Sequence, residues 1–223
     1  SGGGYAAATA VVEQTASTVY TESQIEEGKK LFLANCASCH GQNGEGSDVA
    51  PSLIGVGAAS VDFQVGTGRM PGQASGPQLY KKPVQFTDEQ IVAMAAYVAS
   101  LAPGPAIPDE KYLTPDGDAT HGGELFRINC AMCHNAVGAG GALTEGKFAP
   151  ALKGVTEKHI YEAMVTGPQN MPVFNDANLT PEDKKDIITY LKYVENTPSA
   201  GGYELASLGP VAEGLFLWIF GFG

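Results

Sequence analysis

Positive charge is scarce in this sequence. Thirteen lysines and arginines stand against twenty-four aspartates and glutamates over 223 residues, a formal net charge of −11. No basic cluster interrupts the acidity, which is spread along the chain and densest over residues 103–118. That balance argues against nucleic acid and against anionic lipid headgroups as partners. Long apolar runs are missing too. A spanning helix needs about 20 predominantly apolar residues, and the run at 215–220 is far shorter. Residues 1–20 carry one charge and neither a basic n-region nor a long apolar stretch, so no signal peptide is visible there. They read as a flexible leader. Cysteine occurs four times, always inside one of two short motifs. No βαβ pattern surrounds those motifs, which removes the thioredoxin-like reading of paired cysteines.

What is present is a pentapeptide that occurs twice. Cys36-Ala37-Ser38-Cys39-His40 is followed 94 residues later by Cys130-Ala131-Met132-Cys133-His134. Cys-x-x-Cys-His is the attachment pattern of c-type haem. Two thiols three positions apart lie on one side of a helical turn and reach the two vinyl groups of one porphyrin. The histidine that follows supplies an axial imidazole to the iron. A single Cys₄ zinc site built from the two pairs leaves both histidines without a reason. A disulfide inside such a pair is a redox device rather than a structural staple.

The rest of the chain repeats around these motifs. Gly28, Leu31 and Phe32 match Gly122, Leu125 and Phe126. Ala50-Pro51-Ser52-Leu53 matches Ala149-Pro150-Ala151-Leu152, and Gly68-Arg69-Met70-Pro71 matches Gln169-Asn170-Met171-Pro172. Tyr97 matches Tyr190 in a terminal helix with Thr180 as N-cap and Pro181 at its first position. Matched features in one order mark a duplicated domain. Ser23 to Glu26 and Thr87 to Gln90 read as capping boxes that open helices. Short helices are expected near 58–65 and 159–165. Three prolines in 103–108 begin an extended, semi-rigid linker. The fold expected is all-α, with two tandem cytochrome c domains, each around one covalent haem. Residues 1–20 form the leader, 21–102 the first domain, 103–118 the Pro-rich acidic linker and 119–197 the second domain. Residues 198–223 form a juxtamembrane segment and the start of a membrane helix. Each half is near the size where a core is marginal by itself, and a porphyrin supplies much of what is missing.

A haem held by one histidine needs a sixth ligand or keeps an open face. Of five methionines, Met132 lies inside the second motif, too close to the attachment to reach the opposite face. Met94 and Met164 fall at helical spacing, which suits core packing. Met70 and Met171 each precede proline in a loop, at matching places in the repeat. They are the candidate distal ligands, facing His40 and His134. His/Met ligation raises the reduction potential and fills the iron's coordination, so single-electron transfer is expected rather than bond chemistry. Pro51 and Pro150 have two readings. Either a carbonyl there accepts the second N–H of the ligating imidazole, or each proline simply turns its loop. His121 and His159 have no repeat counterparts, and surface or helix-terminus roles are expected for them.

The C-terminal stretch, apolar and aromatic from Leu215 to Phe222, suits a bilayer interface. It is either the beginning of a membrane helix, which we favour, or a hydrophobic docking tail. Six stretches narrow the reading further: PSLIGVG at 51–57, FQVGTGRMP at 63–71, GELFR at 123–127, GGAL at 140–143, TGPQNMP at 166–172 and GPVAEG at 209–214. On these the chain resembles the dihaem cytochrome c subunits of actinobacterial cytochrome bcc complexes, which are menaquinol–cytochrome c reductases. The resemblance covers most of the chain from about residue 24 onward.

It implies two covalently attached haem c groups (iron) on the extracytoplasmic side of the cell membrane. It also implies an anchor in the lipid bilayer through the C-terminal end. The implied partners are a cytochrome b subunit, a Rieske iron–sulfur subunit and the copper subunit of a terminal oxidase in the same supercomplex. The chain then relays electrons from the Rieske protein, received by the first domain, through both haems to the oxidase. It counts as an enzyme only as part of that reductase. The rival readings are a free or tethered dihaem carrier and a dihaem peroxidase. Two matched Met-Pro loops argue against the peroxidase.

Overall fold

The computed structural model describes residues 19–74, 76–197 and 210–222. Most of the expected leader, and residues 198–209 of the juxtamembrane segment, lie outside the described residues.

The first half is built from four helices, α1 (Glu22–Asn35), α2 (Ala37–His40), α3 (Gly57–Gly66) and α4 (Asp88–Leu101). The second repeats them as α5 (Ala119–Asn129), α6 (Ala131–His134), α7 (Glu157–Thr166) and α8 (Pro181–Asn196). A last helix, α9, spans Pro210–Gly221. The fold is therefore mostly helical. One departure from an all-α chain is a two-residue antiparallel pair, β1 (Gly141–Ala142) with β2 (Phe148–Ala149).

Helix starts follow capping chemistry. Thr87 caps α4 and Thr180 caps α8, each closing a reciprocal box with the residue three positions on. The start of α1 differs from expectation. The cap is Thr21 rather than Ser23, because Gln24 at the third helical position accepts from the Thr21 N–H at 2.9 Å. A glutamine two residues closer than Glu26 closes the box one half-turn earlier.

In each half the first and last helices cross at a glycine. A β-carbon on Gly28 would overlap the Ala93 carbonyl, and one on Gly122 the Asp186 carbonyl. The crossing brings Phe32 against Tyr97, ring centroids 5.1 Å apart, and Phe126 against Tyr190 at 5.6 Å. Phe32 and Phe126 are each 1% exposed, so both repeats seal the same corner with the same residue. Overpacking such a contact costs about 1–3 kcal/mol. Gly28→Ala and Gly122→Ala should each lower stability by about that amount in urea melts. Gly214→Ala, which meets nothing within 4 Å, should leave stability unchanged.

The linker is more than a spacer. The Pro105 carbonyl accepts from the Ala59 N–H at 3.1 Å, at the start of α3. A 3₁₀ turn at Glu110–Tyr112 then lays Tyr112 and Leu113 on the second core, with Tyr112 stacked on Tyr161 at 6.1 Å. Half-buried tyrosine and leucine anchors make the segment part of both halves, which three prolines alone did not reveal.

Contacts also run directly between the halves. α3 packs on α7, with Lys158 bridging to Asp62 at 2.8 Å and the Phe63 ring edge-on to His159. Two glutamines form reciprocal clamps. The Gln78 side chain donates to the Phe148 carbonyl at 2.9 Å and accepts from the Phe148 N–H at 2.8 Å. Gln169 does the same to Leu79, at 3.1 and 2.9 Å. Tyr80 stacks on Phe148 beside them at 5.7 Å.

Candidate functional site

Both Cys-x-x-Cys-His motifs are built alike. α1 ends as the Cys36 N–H bonds to Phe32, and one further turn, α2, carries the chain to His40. Within that turn the Cys39 and His40 N–H groups return to the Cys36 carbonyl at 3.1 and 3.0 Å. The same bonds at Cys130, Cys133 and His134 measure 2.9 Å, 3.1 Å and 2.9 Å. The turn is what sets both thiols on one side with the imidazole following them.

After each histidine the loop returns to hold it. The imidazole Nδ1 of His40 lies 2.8 Å from the Pro51 carbonyl, and that of His134 lies 3.0 Å from the Pro150 carbonyl. A carbonyl can only accept, so Nδ1 carries the hydrogen. Nε2 is left as the lone-pair nitrogen, the tautomer a metal needs. Burial holds the His134 imidazole below its usual range, with the hydrogen bond to Pro150 working against that shift. A neutral ring suits ligation. Pro51 and Pro150 thus both turn their loops and present acceptors.

The two loops differ in length. His40 and its carbonyl are eleven residues apart, His134 and its carbonyl sixteen. The extra residues of the second loop carry β1, β2 and the turn between them. Where the first loop leaves its histidine through Gly41 (φ 82°), the second uses Asn135 (φ 66°). Asparagine is among the few side chains that tolerate that region.

The thiols are unbridged. Burial, reinforced by the neighbouring cysteine, pushes Cys36 and Cys130 up to about 11. The two pairs lie in separate halves and, among the described residues, do not converge on a common point, so they do not make a Cys₄ zinc site. Thiols, imidazole and methionine together fit a covalently attached haem in each half.

Met70 is half-buried and packs with Val65, Ile91 and Met94 in a cluster that also touches Cys36. Met171 packs against the cluster containing Cys130, Phe126 and Met164. Each loop methionine is therefore placed over the core that holds its own half's first cysteine. Met94 and Met164 are 1% and 2% exposed inside helices, whereas Met132 is 87% exposed. The Met70 loop is pinned by Gln64, whose carbonyl accepts from the Met70 N–H at 2.9 Å. The Met171 loop is pinned by its N–H bond to Pro168. Beside Met70, the Arg69 guanidinium stacks on Phe63 at 4.9 Å.

His121 lies in the first turn of α5, exposed and 2.9 Å from Asp186. Hydrogen bonding to Asp186, against some desolvation, raises its pKa. His159 also sits in a first turn but faces the other half, with Nε2 3.7 Å from Asp62. Sequence reasoning missed that placement, and it missed Gln78, Gln169, Asp62 and Glu162. None of these carries a spacing signal, since each lies at the junction with the opposite half.

Comparison with known proteins agrees with the duplication. Residues 25–102 match the family model described as cytochrome c. Residues 117–191 match the model for cytochrome c oxidase, cbb3-type, subunit III. The cytochrome bc1 complex cytochrome c subunit of Corynebacterium efficiens is 46% identical over 239 residues, spanning 99% of this chain and 81% of that protein. The subunit of the same name from Mycobacterium tuberculosis is 46% identical over 227 residues, spanning 98% and 81%. Among solved structures, a reducing HAO-like protein complex of Kuenenia stuttgartiensis aligns over 81% of this chain and 99% of its own, at 15% identity and a TM-score of 0.38. That likeness is too loose to carry an argument.

Proposed function

Because the chain belongs to the family of cytochrome bc1 complex cytochrome c subunits, we propose that its two halves act as a fixed two-site relay between an iron–sulfur donor and a terminal oxidase. The chain is an electron-transfer subunit with two c-type haems, and it contributes to catalysis only through the complex. The haems supply one-electron exchange at their irons.

The chain's own residues do the rest. Cys36 and Cys39, and Cys130 and Cys133, fix the porphyrins by thioether bonds. His40 and His134 each offer Nε2 to iron while the Pro51 and Pro150 carbonyls hold the rings in orientation. Met70 and Met171 would hold each haem from the other side. With both residues engaged, oxygen or peroxide would find no open binding position, which disfavours the peroxidase reading.

One observation carries the relay. The segment after Met70 is clamped to the loop that carries Met171, through Gln169 and Leu79 at 2.9 and 3.1 Å. The second clamp, Gln78 on Phe148, ties the same segment to the loop that turns back to His134. Electron transfer falls steeply with distance, so side-chain bonds that fix the separation of the two sites serve a relay directly. A carrier that only delivers one electron at a time has no need of them.

The proposed partners are a cytochrome b subunit and a Rieske protein at the donor end, docking on the first domain. At the acceptor end we propose the copper subunit of an oxidase. Purification of this chain from native membranes in mild detergent, followed by a reduced-minus-oxidised spectrum, tests them. A b-type signal beside the c-type signal is expected, and an a-type signal with it. A c-type signal alone would leave a dihaem carrier and end the partner assignment.

We also propose that the haem domains stand on the extracytoplasmic side of the cell membrane, with α9 beginning the anchor. Among the described residues no helix is long and apolar enough to cross a membrane. α9 has twelve residues and exposes Leu215, Trp218, Ile219 and Phe220. Trp218 is the sole tryptophan of the chain, which makes it a clean reporter. Its emission should shift to the blue and be quenched by brominated lipid when neutral vesicles are added. An emission indifferent to vesicles would favour a docking tail.

A further inference from the structure

We propose that Asp62, His159 and Glu162 form a divalent-cation site of the zinc class that joins the two halves of the molecule, away from both Cys-x-x-Cys-His motifs. Asp62 comes from α3 in the first half. His159 and Glu162 come from α7 in the second, three positions apart and so on one face of that helix. One ligand atom from each lies within 4.8 Å of the others. His159 Nε2 and Asp62 Oδ1 are 3.7 Å apart. Two ligands on one tetrahedral zinc stand about 3.4 Å apart at ordinary bond lengths, so the side chains need little adjustment.

Glu162 is the observation that points to a ligand. It is 0% exposed, and neither carboxyl oxygen has a hydrogen-bond partner. Buried polar groups in folded proteins are almost always satisfied, and nothing in the helical packing explains this exception. Its carboxyl lies beside Asp62 and His159, where a cation would satisfy it.

Access and charge fit as well. A cleft of about 490 Å³ reaches Asp62 and His159, with Lys158, Asp88 and Glu89 also on its walls, while Glu162 lies behind them. Its acidic rim favours a cation, and its opening leaves room for water as the fourth ligand. The Lys158 ammonium lies 2.8 and 3.0 Å from the two Asp62 oxygens. It occupies the position of positive charge that a metal would take. Lys158 is 39% exposed and can swing outward into the cleft. One imidazole with two carboxylates favours zinc-like ions over magnesium or calcium, which prefer all-oxygen cages.

The test is isothermal titration of Zn²⁺ into the chelator-stripped, haem-loaded full chain, with Mg²⁺ as control. One saturable zinc site per chain is expected, with no response to magnesium. Glu162→Gln should weaken zinc binding at least tenfold, and Lys158→Met should tighten it severalfold by removing the competing ammonium. The c-type spectrum of each variant reports whether the fold is intact. Should Glu162→Gln lose that spectrum, Lys158→Met decides: tighter binding supports the site, and unchanged affinity overturns it. Absence of a saturable zinc site also overturns it. So does zinc binding that an intact Glu162→Gln leaves unchanged, which would place the ion at exposed His121.

Discussion

Replacing Met171 with histidine should lower the reduction potential of the second site by a sizeable fraction of the ~0.8 V that axial ligands span, while the haem stays covalently bound. A thioether is a soft, weak donor that favours reduced iron, and a second imidazole donates more strongly and favours the oxidised state. The substitution keeps a ligating side chain in a loop that is pinned independently of it, by the Met171 N–H bond to Pro168 and by the Gln169 clamp. The potential should therefore change without the loop unfolding. Met164→Leu is the control. Met164 is 2% exposed within α7, so a swap of similar volume should cost less than about 1.5 kcal/mol and leave the potential where it was. A redox titration of the c-type band reads both. Equal shifts from the two variants, or none from Met171→His, would remove Met171 from the ligand set, and the matching argument for Met70 would fall with it.

Glu162→Gln should raise stability at pH 7 by up to about 3 kcal/mol in chelator-treated protein, and should flatten its pH dependence. Burial, with the Asp62 charge adding to it and Lys158 acting against it, pushes Glu162 up to about 9 from an ordinary value of 4.5. Between those values the folded chain keeps this proton and the unfolded chain has released it. The folded state then binds more protons, so its stability falls as pH rises from about 4.5 towards 9. At pH 7 the gap is ~2.5 pH units at ~1.36 kcal/mol each, hence about 3 kcal/mol. A glutamine carries no such penalty in either state. Asp62 works in the opposite direction. Desolvation opposes its charge, but the neighbouring His159 imidazole and the hydrogen-bonded Lys158 ammonium hold it below the usual carboxylate range. Its stabilising contribution is present above its unfolded value and is lost as pH falls through the folded one. Urea melts at pH 5, 7 and 9 isolate Glu162, because Asp62 stays ionised throughout that range. Parallel pH curves for the parent and Glu162→Gln would mean that Glu162 is ionised in the folded chain.

The cysteines, the histidines and the duplication were readable from the sequence, and the reason is chemical. Attachment to one porphyrin requires two thiols and an imidazole within a single turn, so that constraint is written in adjacent residues. Helix α4 was legible for a similar reason, since a capping box closes over three positions, and α8 through its Thr180 cap with Pro181 beside it. The Met-Pro loops became legible through repetition, because one copy predicted where to look for the other.

The tertiary structure decided what joins the halves. Gln78 finds Phe148 across 70 residues, Leu79 finds Gln169 across 90, and Lys158 finds Asp62 across 96. Such partners have no period and no shared motif, and both halves lack each other's copy of them because an interface between repeats is not itself repeated. His159 read as a surface or helix-terminus residue; it does lie in a first helical turn, and such a histidine looks the same whether water or a second domain covers it. Glu162 carried no signal in the sequence. The packing of α3 on α7 removes its water, and the loss of water turns a solubilising side chain into a buried acid at the junction of the two halves.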